Sequence, residues 1–138
     1  MTLAVRACIA LGSNLGDRAA ALSLARERLM QLPDTTLVAA SEVEETSPLG
    51  GLAQPSYLNQ MVLLETSCSA AAVLEACHTI EREAGRTRDT PWCSRTLDLD
   101  LVYFGDVSCD LPDLVLPHPG LRDRNFWARQ IAVVEAHG

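Results

Sequence analysis

Short apolar runs alternate with stretches of helical period along this chain. Ala4 to Leu11 is almost unbroken apolar sequence closed by Gly12-Ser13-Asn14, the pattern of a buried strand and a tight turn. Asp17 stands where it can cap a helix in which Leu22, Ala25 and Leu29 recur at three- and four-residue spacing, and Pro33-Asp34 end it. A second strand is predicted over Leu37 to Glu45, containing Val38 and Val43. Thr46-Ser47-Pro48-Leu49-Gly50-Gly51 reads as loop, because proline fixes one dihedral and the glycines release others. Tyr57 to Glu65 resumes as strand. Ser69 then caps a helix whose stripe is Ala70, Val73, Leu74, Cys77, Ile80 and Ala84, stopped by Gly85. Arg86 to Ser94 has no apolar period and reads as a polar loop. Thr96 to Phe104 has the period of two of a strand, Gly105-Asp106 is a turn, and Leu114-Val115-Leu116 is a short apolar piece. A last helix begins near Arg122. The order predicts an α+β fold, a ferredoxin-like β-α-β-β-α-β core with a mainly antiparallel sheet and an additional C-terminal helix. No repeat, low-complexity tract or linker divides the chain, so residues 1–138 read as a single domain.

Composition narrows the function. Of 138 residues 48% are hydrophobic, enough for a sizeable core. The formal charge of −7 argues against a nucleic-acid binder, which needs a basic face. No apolar run approaches the length of a membrane span, and the first residues lack the layout of a signal peptide. A cytoplasmic protein is expected, and a monomer, since no uncovered apolar helix face remains. All eleven cationic side chains are arginines. That excludes a Schiff-base lysine and the lysine of a Walker A loop, and leaves any oxyanion to guanidinium groups. The five cysteines form no C-x-x-C pair, and His78, His118 and His137 complete no zinc spacing. Gly12-Ser13-Asn14-Leu15-Gly16-Asp17 resembles a phosphate loop only superficially and reads as a strand-to-helix turn.

The most informative segment is Arg95-Thr96-Leu97-Asp98-Leu99-Asp100-Leu101. On a strand the three leucines face one side and the two aspartates the other. The carboxylates then stand roughly 5–7 Å apart on a rigid element. At about 5 Å they repel by roughly 3 kcal/mol at an effective dielectric near 20, which a cation between them relieves. Hard oxygen donors suit Mg²⁺, which takes one or two protein carboxylates and completes its shell with water and substrate phosphate. A solvated strand face with alternating acids is the bland alternative. Context favours the site: Arg95, Arg86 and Arg88 lie just before the pair, and His118, Arg122 and Arg124 follow it. Carboxylates ringed by arginines are the groups needed to hold a metal–triphosphate and neutralise its transition state.

IALGSNLGD at Ile9 to Asp17, ETSPLG at Glu45 to Gly50, QPSYLN at Gln54 to Asn59, IEREAGRTR at Ile80 to Arg88, RTLDLDLVYFGD at Arg95 to Asp106 and LPHPGLRDRNF at Leu116 to Phe126 together resemble the 6-hydroxymethyl-7,8-dihydropterin pyrophosphokinase family of the folate pathway. The resemblance covers almost the whole chain. R-T-L-D-L-D combined with P-H-P is its most specific part. It implies transfer of pyrophosphate from ATP to the pterin hydroxymethyl oxygen, with release of AMP. It implies two Mg²⁺ ions held by Asp98 and Asp100, and ATP as co-substrate. Small-molecule pterin and ATP are then the partners, with no nucleic acid and no membrane. Tyr57 and Phe126 correspond to the aromatic pair that sandwiches the pterin, Asn59 to the amide that reads its edge, and Thr46, Ser47 and Leu49 to loop contacts with that edge. His78, Glu81, Arg88, Arg95, Leu101, His118 and Arg124 align with positions around ATP. Trp92, Arg95 and Arg86 belong to the loop that closes over the substrates, Trp92 also facing the pterin. This loop departs from the family's usual Arg-Trp-Gly-Pro-Arg-Thr, reading Pro91-Trp92-Cys93-Ser94-Arg95-Thr96. The departure motivates one alternative, a catalytically weak relative acting as a pterin- and nucleotide-binding module.

Overall fold

At the centre lies β1 (Val5–Ser13), the strand with the most continuous burial. A computed structural model describes residues 3–14, 16–46, 56–84 and 97–138. The other elements are α1 (Arg18–Met30), β2 (Thr35–Ala40), β3 (Glu44–Thr46), β4 (Tyr57–Thr66), α2 (Ala70–Glu83), β5 (Asp98–Phe104), β6 (Cys109–Leu111), β7 (Leu114–Leu116) and α3 (Asn125–His137). A 3₁₀ turn over Pro119–Arg122 precedes α3. The main sheet runs β2-β4-β1-β5, with β3 also on β4, and every pairing is antiparallel. This is the ferredoxin-like α+β arrangement, with an added helix after it and a small β6–β7 hairpin.

The caps form as their chemistry dictates. The Asp17 carboxylate accepts from Ala20 N–H at 3.0 Å and Ser69 Oγ from Ala72 N–H at 3.1 Å, each satisfying a donor that its helix leaves open. Two cores result because the sheet is covered on both faces. Ala7, Ile9 and Leu11 point with Leu97, Leu99 and Leu101 toward α1 and α2, meeting Leu22, Ala25, Leu29, Val73, Cys77 and Ile80. Cys8 and Ala10 point with Met61, Leu63 and Val102 toward α3, where Trp127 and Val134 cover them.

Two expectations are corrected. The strand foreseen over Leu37 to Glu45 is interrupted at Ser41-Glu42-Val43. There Ser41 Oγ accepts from Met61 N–H at 2.9 Å and Gln60 Nε2 donates to Ser41 C=O at 2.7 Å, so side chains replace part of the ladder. Gly12, read as part of a turn, is inside β1, opposite Asn59 on one side and Asp98 on the other. Gly85 and its role as a helix stop lie outside the described residues.

Candidate active site

Strand alternation sorts the predicted residues onto one face. Cys8, Ala10 and Gly12 share the α3 side of β1, so their register partners Asn59, Met61, Asp98 and Asp100 share it too. Asn59, Gly12 and Asp98 form one row across three strands, about 10 Å from end to end at the usual strand spacing. Met61, Ala10 and Asp100 form the next row. Asp98 and Asp100 are half-buried while Leu97, Leu99 and Leu101 are buried, as the alternation predicts. On the far side, β3 places Thr46 opposite Tyr57, and Asn59 Nδ2 donates to Thr46 Oγ1 at 2.5 Å. That bond orients the amide. A Cβ at Gly12 would lie 3.5 Å from Asn59 Oδ1 and 3.7 Å from the Tyr57 ring, so both side chains rest against bare β1 backbone. Phe126 is partly buried at the start of α3, packed on the same core.

His118 enters from the other flank. Its backbone N–H donates to Val102 C=O at 2.8 Å, which ties it beside β5. Its Nδ1 accepts from Gly120 N–H at 2.9 Å, so in the neutral ring the proton sits on Nε2. Nε2 lies 3.6 Å from Asp100 Oδ1, and the ring meets Trp127 edge-on with centroids 5.1 Å apart. Arg124 stacks its guanidinium over Trp127 at 4.6 Å. Its buried Nη1 has no hydrogen-bond partner among the described residues. An unpaired buried guanidinium nitrogen suits an anionic ligand. Gly120 makes this crowding possible, since a Cβ there would fall 2.9 Å from the Trp127 ring and 3.0 Å from His118 Nδ1.

Beside Asp100 and His118 opens a cleft of about 310 Å³. It joins His78 and Leu101, both expected near ATP, to Leu74, Asp113, Leu114 and Pro119. The β6–β7 hairpin supplies one wall, and nothing in the periodicity announced that role. Glu81 is not in this lining. It is 5% exposed, and its Oε2 accepts from Leu99 N–H at 2.9 Å. The neighbouring Cys77 thiol is pushed up to about 12, chiefly by burial and then by the charges of Glu81 and Asp100.

A clasp missed in the sequence holds the flanks of residues 47–55. Ser56 Oγ donates to Glu45 Oε2 at 2.5 Å, and Arg18 Nη1 donates to the same oxygen at 3.0 Å and to Ser56 C=O at 2.8 Å. These bonds, Ser56 first and Arg18 second, hold the Glu45 carboxyl below its ordinary range. Arg86, Arg88, Trp92, Arg95, Ser47 and Leu49 lie outside the described residues.

As for a cation, the donors are hard carboxylate oxygens on one strand face, and no group of three His, Cys, Asp or Glu gathers anywhere among the described residues. A two-carboxylate set fits magnesium, whose remaining positions water and phosphate fill.

Comparison with known proteins decides the family. Residues 8–136 match the model for 7,8-dihydro-6-hydroxymethylpterin-pyrophosphokinase. The chain belongs to this family. It is 40% identical over 121 residues to a 2-amino-4-hydroxy-6-hydroxymethyldihydropteridine pyrophosphokinase of Pseudomonas aeruginosa, covering 88% of this chain and 75% of that one. A Bacillus subtilis protein of the same name is 38% identical over 128 residues, covering 93% of this chain and 77% of the relative. A Pseudomonas putida protein, again of that name, is 41% identical over 117 residues, 84% of this chain and 96% of its own. The family-model match runs through both aspartates, His118 and Phe126.

Proposed function

We propose that this chain transfers pyrophosphate from ATP to the hydroxymethyl group of 6-hydroxymethyl-7,8-dihydropterin, releasing AMP, in folate biosynthesis. The observation that carries the reading is the Asn59–Gly12–Asp98 row, which sets a donor–acceptor amide at one end and Asp98 at the other, with Asp100 in the adjoining row, in a chain of this family. A flat heterocycle lies along the row with its arm toward the acids. Tyr57 and Phe126 stack on the ring, and Asn59, oriented by Thr46, reads its edge; Ser47, Leu49 and Trp92 complete the pocket as the family resemblance assigns.

ATP occupies the cleft beside β5, its base and sugar against His78, Leu101 and the hairpin. His118 Nε2–H and the Arg124 guanidinium bind phosphate oxygens, with Arg86, Arg88 and Arg95 adding charge. Asp98 and Asp100 would hold two Mg²⁺ ions, which would supply positive charge against the triphosphate. The pterin hydroxyl attacks the β-phosphorus in line. Its oxygen gains the P–O bond and releases its proton to solvent, the bond from that phosphorus to the α-phosphate oxygen breaks, and AMP leaves without a covalent enzyme intermediate. The protein's share is positioning and fixed charge. We further propose that the chain works as a cytoplasmic monomer.

The test is AMP release from ATP, dependent on magnesium and on the pterin. Asp98→Asn and Asp100→Asn are each expected to lower kcat at least ~100-fold while the melting temperature stays within a few degrees of wild type or rises. Wild-type-like rates in either variant refute the metal assignment; a wild-type chain that releases no AMP refutes the activity.

A further inference from the structure

Glu81 occupies a core-facing position of α2, in register with Val73, Cys77 and Ile80, where an apolar side chain is the ordinary choice. A carboxylate held 95% out of water costs several kcal/mol unless it is hydrogen-bonded. One bond it makes is informative. Glu81 Oε2 accepts the N–H of Leu99, the residue between Asp98 and Asp100. Among the described residues β5 is an edge strand, with β1 as its single neighbour in the main sheet. On such a strand alternate N–H groups point away from the sheet and lack a ladder partner. Leu99 N–H points outward, so Asp98 and Asp100 turn their backbone groups inward, toward Gly12 and Ala10. β1 thus grips the strand at both aspartates and α2 grips it between them.

We infer that Glu81 is a positioning residue for the acidic pair: through Leu99 it fixes the edge strand so that Asp98 and Asp100 are presented at one spacing and orientation, rather than contacting the nucleotide itself. An anionic acceptor makes the stronger bond to a backbone N–H, and a rigid mount matters because two like charges side by side otherwise twist the strand to separate. The placement of Glu81 agrees, since it lies off the cleft that His78, Leu101 and His118 line. The inference rests on the reading of Asp98 and Asp100 given above.

Two variants of the full chain test it, Glu81→Gln and Glu81→Ala. Glutamine keeps a carbonyl oxygen for Leu99 N–H and alanine removes it. Amide hydrogen exchange at Leu99, read by NMR without any ligand, is expected to stay slow in Glu81→Gln and to accelerate at least ~10-fold in Glu81→Ala. The magnesium concentration giving half-maximal AMP release is expected within ~3-fold of wild type for Glu81→Gln and at least ~10-fold higher for Glu81→Ala, with the pterin KM unchanged in both. Two results overturn the inference. One is an alanine variant that melts lower but keeps the wild-type magnesium dependence, which makes Glu81 structural only. The other is a glutamine variant with Leu99 still protected but the ATP KM raised at least ~10-fold, which makes its charge a direct contact. If the alanine chain does not fold, the glutamine chain alone decides between rescue and loss. Failure of the underlying reading appears separately, as a wild-type chain without magnesium-dependent AMP release.

Discussion

Raising the pH from 8 to 10 measures how completely the folded chain protects two core thiols. Cys8 and Cys77 are fully buried, one in each core, and burial pushes each thiol from 9.0 to about 12. Both stay neutral in the folded protein at pH 10, whereas the unfolded chain ionises them above pH 9. The folded pKa is the higher one, so the stabilisation is complete below pH 9 and is lost as the pH climbs from 9 toward 12. Between pH 8 and 10 each thiol then removes about 1.4 kcal/mol, roughly 3 kcal/mol together. No lysine contributes in this window, because the chain contains none, and arginine does not titrate there. Tyr103 is also raised, by burial and by the hydrogen bond it donates to Glu135, but its loss begins only above pH 10. Urea denaturation at pH 8, 9 and 10 reads the effect as a falling midpoint at constant slope. In Cys8→Ala/Cys77→Ala the fall is expected to shrink by most of its size. A wild-type stability that does not change between pH 8 and 10, or a double variant that loses just as much, refutes the reasoning.

Three further outcomes are expected. Trp127→Ala removes a buried indole that covers Cys8, Ala10 and Val102 and braces both His118 and Arg124, so unfolding free energy falls by about 3–5 kcal/mol in denaturant titrations. His118→Phe keeps the edge-on contact with Trp127 but loses Nε2–H and the acceptor for Gly120 N–H; stability falls by about 1 kcal/mol and kcat/KM for ATP at least ~10-fold, and unchanged kinetics would separate His118 from phosphate binding. Asn59→Ala raises the pterin KM at least ~10-fold with the ATP KM unaltered, and equal rises in both would place Asn59 in the general scaffold.

What could be read from the sequence was whatever a local period or cap encodes. Leu97-Asp98-Leu99-Asp100-Leu101 announced its two faces because strand geometry is a property of neighbours, and Asp17 and Ser69 announced helix starts for the same reason. Contacts made at long range left no such trace. Ser41 looks like any other strand residue until Met61 N–H is seen to bond its hydroxyl. Gly12 carries a turn signature in sequence, yet β4 and β5 flank it and make it strand. Glu81 fits a helix equally well facing solvent or core, and only the packing of α2 on β5 shows which. The wall built by Cys109–Leu111 and Leu114–Leu116 was equally silent, since three-residue strands are too short to show a period.

The central place of β1 has a kinetic consequence. Its two hydrogen-bonding edges are taken by β4 and β5, which follow it by some fifty and ninety residues. During synthesis this continuously buried strand therefore emerges ahead of both partners, with one edge open until Thr66 and the other until Phe104 has been made, a template for stray pairing with other nascent chains. Such distant closures also slow the search for the native arrangement. Folding yield should respond to translation speed and chaperone supply more than to any single surface substitution.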